Sequence, residues 1–468
     1  MLSLELNDAG LILARGAADQ IEVVAEEPGF VLLEGAELLT GLEAQRRARL
    51  RPLYTQNRYW RELGVEPLAR PLGNAQTAAD LAFVQLERLL TPHREAAGLL
   101  LAVPAGYTRE QLGLLLGVAS ETGLEVRGLV DAALAACALT PVPARVLHLD
   151  LELHRATLAV LEHPGGEQAP LRRARFEIQP GHGWLGLTQR WIELIAETFV
   201  RKTRFDPLHQ AATEQRLADE IPSWLVQLDT ETALAVELEF GDTIHRVEID
   251  RNDFIAAAER HYAALVKLVQ DVRPAGHAIE LRIGERVARL PGLAERFAAL
   301  RDCTVTALPR GAAAVGTLRH ASAIMRPADA VALVYRLPMQ GLAAAQPGST
   351  ATDSPATSPD RRPTHVLYGS RAWAIEDEAL TLGWSVPSGR RALTLPEGAP
   401  GVSRAHCTLT RRNGAVVLED HSTFGSWVND ERVSGRAVLQ VGDRVRLGTP
   451  GVTLEMIQLV RDDGTTQD

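Results

Sequence analysis

The chain has 468 residues, of which 46% are hydrophobic, 23% charged and 5% aromatic, which suits several domains of about 100–200 residues better than one large core. Its 49 lysines and arginines against 59 acidic residues leave a formal charge of -10, which argues against a protein that grips duplex nucleic acid by neutralising phosphates. Three widely spaced cysteines, Cys137, Cys303 and Cys407, argue against a disulfide framework or a cysteine metal cluster. In chain order, Gly98–Val103 reads as an apolar strand, and Thr108 with Gln111 has the capping-box spacing that starts a helix ending near Gly123. Leu124–Val130 reads as a further strand, followed by a small-residue helix that Asp131 can cap. Across 146–161, Leu147, Leu149, Leu151 and Leu153 alternate with His148, Asp150, Glu152 and His154, the period of a strand. Helices are expected over 184–202 and 251–271, strands over Ala233–Ile249, and a strand–helix unit over 279–301. This alternation predicts α/β layers.

Pro338 to Thr364 is dense in Pro, Ser, Thr, Ala and Gly and is nearly devoid of large apolar side chains, so it reads as a flexible linker. Beyond it the pattern changes to short strands. Asn413-Gly414 supplies a hairpin turn between apolar runs, and Val445 and Leu447 alternate with Arg444 and Arg446, as expected of a β-sandwich. The predicted division is 1–335, a linker at 336–363, a sandwich at 364–462 and a tail at 463–468. The first residues carry no basic leader with an apolar run, and no segment reaches the ~18–20 apolar residues of a membrane span, so a cytoplasmic protein is expected.

The C-terminal motifs Gly401-Val402-Ser403-Arg404-Ala405-His406, Leu418 through Ser422-Thr423-Phe424-Gly425 to Asn429, and Leu439 through Gly442-Asp443 to Gly448 resemble those of the forkhead-associated (FHA) domain over about 364–461. The resemblance implies an all-β sandwich whose loop tips bind a phosphothreonine protein through guanidinium, hydroxyl and backbone donors. It places Ser403, Arg404, Thr423 and Asn429 at the phosphopeptide, with Gly383, His406 and Gly425 as structural residues. The family's phosphate-binding arginine is replaced by Trp384, which leaves Arg390 and Arg391 as candidates to reach inward. Its backbone-fixing asparagine is replaced by Phe424.

In the first part, the Leu99–Tyr107 run, Leu129–Ala135, Leu185-Gly186, Arg289-Leu290-Pro291-Gly292-Leu293 and Gly311–Gly316 occur in the order found in DnaK-type heat-shock chaperones. The chain over roughly 1–325 is thus similar to the actin-like ATPase superfamily. The fold this implies is a pair of duplicated ribonuclease H-like lobes gripping ATP and magnesium between two Gly-rich hairpins, where bare backbone N–H groups approach the phosphates. The matching positions here are Glu5-Leu6-Asn7-Asp8-Ala9 and Asp150-Leu151-Glu152-Leu153-His154-Arg155, which lack those glycines. The family's catalytic lysine falls on Gln45, its later glutamate near Thr188, and its adenosine loop is reduced to Ile283-Gly284-Glu285-Arg286. Glu5, Asp8, Asp150 and Gly284 are the residual nucleotide-site positions.

The chemistry read from these residues is that of a bacterial, non-enzymatic scaffold with no cofactor. A threonine-phosphorylated protein is its partner, and the degenerate large domain offers a second protein surface to a chaperone or to another copy. The rival is a divergent ATPase with a site rebuilt from Asp8, Asp150 and Glu152, for which ATP and magnesium are the cofactors. Asp150 and Glu152 otherwise read as the solvated side of a strand, and His148, His154, His163 and His182 as surface histidines without metal-ligand spacing. Gly181–Gly186 has the look of a dinucleotide loop but lacks the preceding strand–helix–strand context. Trp60, Trp184 and Trp191 read as packing residues.

Overall fold

A computed structural model describes residues 1–17, 20–163, 170–273, 278–326, 331–339, 363–368, 371–385, 391–395, 401–412, 415–429, 431–440, 442–449 and 451–457. The chain divides into two compact units, Met1–Gln346 and Pro347–Asp468. Most of the expected linker, the Asn413-Gly414 turn and the tail lie outside the described residues.

The first unit is built on two six-stranded sheets with one plan. In the first, Leu2–Glu5, Leu11–Ala17 and Gln20–Glu27 form an antiparallel meander, and Leu99–Val103 and Val126–Asp131 add in parallel on the other side of Leu2–Glu5. In the second, the meander is Arg145–Leu151, Arg155–Glu162 and Leu171–Pro180, and the parallel strands are Ile279–Ile283 and Cys303–Ala307. Parallel neighbours need a crossover, and helices supply it. Arg109–Glu121 makes one crossover and starts on the expected capping box, with the Thr108 side chain accepting from Gln111 N and Gln111 answering the Thr108 amide. The short helix Ala132–Cys137 starts on Asp131, which accepts from Leu134 N at 2.9 Å.

Several bounds differ from the sequence reading. The expected helix over 251–271 is two, Arg251–Ala257 and Glu259–Val272. Ala233–Ile249 is a hairpin of Ala233–Phe240 and Thr243–Asp250. The helix Ala211–Gln227 forms although Pro222 lies inside it, because Leu217, Ile221 and Leu225 fall on one buried face whose packing outweighs the lost backbone bond. Arg336–Leu337, assigned from sequence to the linker, forms a strand against Leu171 and Arg172. Among the described residues, no helix is long and apolar enough to cross a membrane.

Each sheet has its own apolar core, and a third core joins them. That third core is made of small side chains from Ala132–Cys137 and Ala312–Arg319 together with Ile12, Leu100, Val146 and Leu161. Small residues let these two helices touch by backbone: a Cβ at Gly316 would collide with Ala135 O. Buried charges finish the junction. Arg173 bonds Asp131 at 2.5 Å, and Arg282, almost wholly buried, donates to Cys137 O at 2.6 Å and Pro141 O at 2.5 Å.

The second unit is a sandwich of two sheets. One runs Arg371–Ala374, His365–Tyr368, Val452–Ile457, Arg444–Leu447, Ser426–Val428 and Glu431–Arg432; the other runs Ala392–Thr394, Leu380–Gly383, Cys407–Arg412, Ala415–Asp420 and Arg436–Leu439. Alternate residues of both, among them Val366, Leu382, Leu409, Leu418, Val445 and Leu454, form one buried core.

The tight helix contact yields a first prediction. Gly316→Ala must push Ala132–Cys137 and Ala312–Arg319 apart, and is expected to destabilise the first unit by about 1–3 kcal/mol, read as a lower urea midpoint. An unchanged midpoint would show that the two helices separate without cost.

Candidate functional site

Two places in the structure gather chemistry, one in each unit. In the first unit, the turn after Leu2–Glu5 and the turn after Arg145–Leu151 face each other where the sheets meet. Asn7 spans them: its Nδ2 donates to Asp150 Oδ2 at 2.9 Å and Leu151 O at 3.0 Å, while its Oδ1 accepts from Ala9 N at 2.9 Å. Asp8 Oδ1 accepts from Leu153 N at 2.6 Å. Glu152 is buried and held by Arg155 Nε at 2.7 Å and Thr157 Oγ1 at 2.6 Å. Glu5 Oε2 accepts from Ala313 N at 3.1 Å and Ala314 N at 3.2 Å, so it ties the first strand to the start of the Ala312–Arg319 helix.

Arg286 supplies the cation. It donates to Gly10 O at 3.2 Å and pairs with Glu26 at 2.7 Å, lying where any side chain at Gly10 would stand. Asp150 fills the corresponding space beside Gly284. The remaining cleft has about 730 Å³ with its open mouth included, and Glu5, Asn7, His148, Asp150, Glu152 and Arg286 are among its lining residues. Elsewhere in the unit, Gln215 accepts from Arg49 N at 2.8 Å and donates to Gln45 O at 3.1 Å, and Arg49 reaches Gln189 at 3.0 Å and Glu214.

Crowding of carboxylates shapes their protonation. Burial first, and then the charge of Asp150, push Glu5 up to about 7; burial first, and then Glu152, push Asp8 up to about 7. His148 is held below the ordinary histidine range by burial. Glu152 and His148 are buried, so the sequence reading of Glu152 on a solvated face and of His148 as a surface histidine is corrected, while Asp150 is half-buried and accepts from Asn7. His182 packs edge-on against His261 with 5.0 Å between ring centres. Thr188 spends its hydroxyl on Trp184 O and Leu185 O of its own helix, and Trp191 is core. Among the described residues, no group of three or more His, Cys, Asp or Glu side chains is placed to hold a metal ion.

The bare, glycine-lined turns that nucleotide phosphates require are not what these residues form. Side-chain amide and carboxylate groups of Asn7, Asp8 and Glu152 occupy the facing turns, and each is already committed to a protein partner.

In the second unit, three loops converge. His406 is fully buried and takes Ser403 N–H on Nδ1 at 3.0 Å while its Nε2 donates to Gly425 O at 2.9 Å. One imidazole thus joins the 401–406 loop to the 422–425 loop. Burial holds its pKa below the ordinary value, which keeps Nδ1 free to accept. Ser403 Oγ in turn accepts from Thr423 N at 3.3 Å, and Gly425 N donates to Ser422 Oγ at 2.7 Å. Gly448 N donates to Gly425 O at 3.0 Å and packs on Gly401, which brings in the third loop. Asp420 anchors the turn by accepting from Ser422 N at 3.1 Å and Ser426 Oγ at 3.0 Å. At the exposed apex are the Ser403 hydroxyl, the Thr423 side chain and the Arg404 guanidinium, which makes no hydrogen bond or ion pair among the described residues. Gly383 must be glycine, because a Cβ there would strike Arg404 O.

Residues 388–448 match the FHA domain. FHA domains are in general phosphothreonine-recognising protein-interaction modules, and the apex of Ser403, Arg404 and Thr423 lies inside the matched region. No curated protein matches the chain.

Within this FHA domain the structure separates the other expected site residues. Arg391 lies beside Thr381, at the far end of its strand from Gly383, and is bonded to Ala374 O at 3.1 Å and Glu376 at 3.0 Å, so it does not reach the apex. Arg390 lies outside the described residues. Asn429, at φ 50°, closes the opposite end of Ser426–Val428 by donating to Asp443 at 2.7 Å and accepting from Arg444 N at 3.0 Å. It is a turn residue, and the contact inferred for it from the resemblance is withdrawn. Trp384 packs partly buried against the core, while Phe424 stands half exposed at the apex. Arg432, Trp427 and Arg446, which sequence reading passed over, lie near the loops because their strands pair there.

The crowded carboxylates generate a prediction with a definite sign. Glu5 keeps its proton to about pH 7 when folded and loses it near pH 4.5 when unfolded, so the folded chain binds the extra proton and stability falls as pH rises between them. Glu5→Gln removes that loss. Its stability relative to the parent is expected to improve by roughly 2–3 kcal/mol from pH 5 to pH 8 in urea titrations. A pH-independent difference would refute the buried-proton account.

Proposed function

We propose that this protein is a non-enzymatic adaptor that docks a threonine-phosphorylated protein through its FHA domain, with its large unit acting as a second protein-binding surface. The observation that carries the reading is the apex itself: the Ser403 hydroxyl, the exposed Thr423 side chain and the Arg404 guanidinium, which has no hydrogen bond or ion pair among the described residues, lie on loops of an FHA domain that His406 joins. Those donors are the groups a phosphate dianion requires.

We read the large unit as a degenerate actin-like domain of the DnaK type. The repeated sheet plan, a meander of three strands plus two parallel strands in each half, supports that reading. Its turns are filled and bonded to each other, which supports a unit that neither binds nor hydrolyses nucleotide. Leu50, Leu53 and Tyr54, 46%, 62% and 49% exposed, offer apolar area for a protein such as a chaperone or a second copy.

With the full-length chain immobilised, phosphothreonine peptides are expected to be retained and their unphosphorylated counterparts lost. Ser403→Ala and Arg404→Ala should each lower retention about tenfold or more, in line with the 1.5–3 kcal/mol typical of a charge-assisted hydrogen bond. Equal retention of both peptide forms would sink the phosphothreonine reading. For the large unit, calorimetric titration with ATP and magnesium is expected to give no saturable heat. Micromolar binding that Asp150→Ala abolishes would establish the rival ATPase.

A further inference from the structure

The FHA domain's arginines fall into two groups. Arg391 is paired with Glu376, Arg412 and Arg436 with Glu419, and Arg411 with the carbonyls of Ile375 and Pro363. The side chains of Arg404, Arg432 and Arg444 have no hydrogen bond or ion pair among the described residues, and of the three Arg432 is the one set beside an indole. Arg432 is exposed and comes from the strand Glu431–Arg432, directly across from Trp427, with its guanidinium carbon 5.9 Å from the indole centre. On the other side of Trp427, Arg446 packs at 4.1 Å and is steadied by Gly448 O at 3.0 Å and Thr449 Oγ1 at 3.3 Å.

This arginine–tryptophan–arginine stack abuts the phosphopeptide apex. A Cβ at Gly425 would lie 3.1 Å from Arg432 Nε, 3.3 Å from Arg432 Nη2 and 3.2 Å from Trp427 Cη2. Gly425 is two residues from Thr423 and carries the carbonyl to which His406 donates. A peptide seated on Ser403 and Thr423 would thus lie near a guanidinium that sits beside an indole, has no hydrogen bond or ion pair among the described residues, and presents a planar set of N–H donors.

We propose that Arg432, positioned by Trp427 and Arg446, reads an aspartate or glutamate close to the phosphothreonine, so that the preferred partner is an acidic phosphothreonine segment. This rests on the phosphothreonine reading and adds a sequence preference to it. The chemistry favours a carboxylate over an apolar or basic side chain. A guanidinium offers two parallel N–H donors that match a carboxylate edge to edge, and stacking on the indole restricts its side chain before the partner arrives. The overall charge of -10 opposes acidic ligands at long range, so the preference must come from contacts this close.

The experiment uses the full-length chain and a degenerate peptide library with phosphothreonine fixed and the flanking positions randomised. Aspartate and glutamate are expected to be enriched about threefold or more at one or more flanking positions. Arg432→Ala should abolish the enrichment and keep dependence on phosphate, and Arg432→Glu should replace it with a preference for lysine and arginine, which a structural role for this exposed residue would not produce. Phosphate-dependent retention without acidic enrichment, or an enrichment unchanged in both variants, would overturn the assignment and leave the phosphothreonine reading standing. Failure of the parent chain to retain the phosphorylated library would overturn both.

Discussion

Four carboxylates, the buried Glu5, Asp8 and Glu152 and the half-buried Asp150, are carried by strand continuity to the line where the two large sheets meet, and the organisation of the first unit follows from the need to satisfy them with little or no water. Asn7 answers Asp150, backbone amides answer Glu5 and Asp8, and Arg155 with Thr157 answers Glu152. Arg286 offsets part of the remaining charge. Because most of these partners belong to the opposite sheet or to the helix beyond it, satisfying the carboxylates joins the halves. The same side chains fill the space that bare turns would leave open.

A similar economy governs the FHA domain. One neutral imidazole, His406, accepts from one loop and donates to another, and the geometry of the apex depends on that single tautomer. The loops it connects hold few apolar side chains of their own, so hydrogen bonds and glycines at Gly383, Gly425 and Gly448 set their approach. The sandwich beneath supplies rigidity, and the loops supply donors. The arginine that the resemblance leads one to expect is missing, yet the strand pairings bring Arg432 and Arg446 to the flank of the same loops.

The two units divide the work differently. In the first, polar groups are turned inward and neutralise one another, which suits a body that presents surface. In the second, the Arg404 guanidinium at the loop tips has no hydrogen bond or ion pair among the described residues, which suits recognition of a charged ligand. The proposed adaptor function follows from that contrast.

Much of this was legible in the residues alone. The periodicity of 146–161, the capping box at Thr108 and the FHA motifs placed strands, a helix and the apex, because each depends on neighbours a few residues away. The helix Ala211–Gln227 was hidden by Pro222, whose local penalty is visible in sequence while the packing that overrides it is not. Likewise Asn7 looks like a simple loss of glycine until Asp150, 143 residues later, is found opposite it. Sequence by itself determined which residue types were available: carboxylates where glycines were expected, and Ser403, Arg404 and Thr423 in order. Only the tertiary structure decided that Glu5, Asp8 and Glu152 are buried and that all four carboxylates are bonded, that Arg391 and Asn429 turn away from the apex, and that Arg432 stands beside it, since burial and approach across sheets depend on contacts that no local pattern encodes.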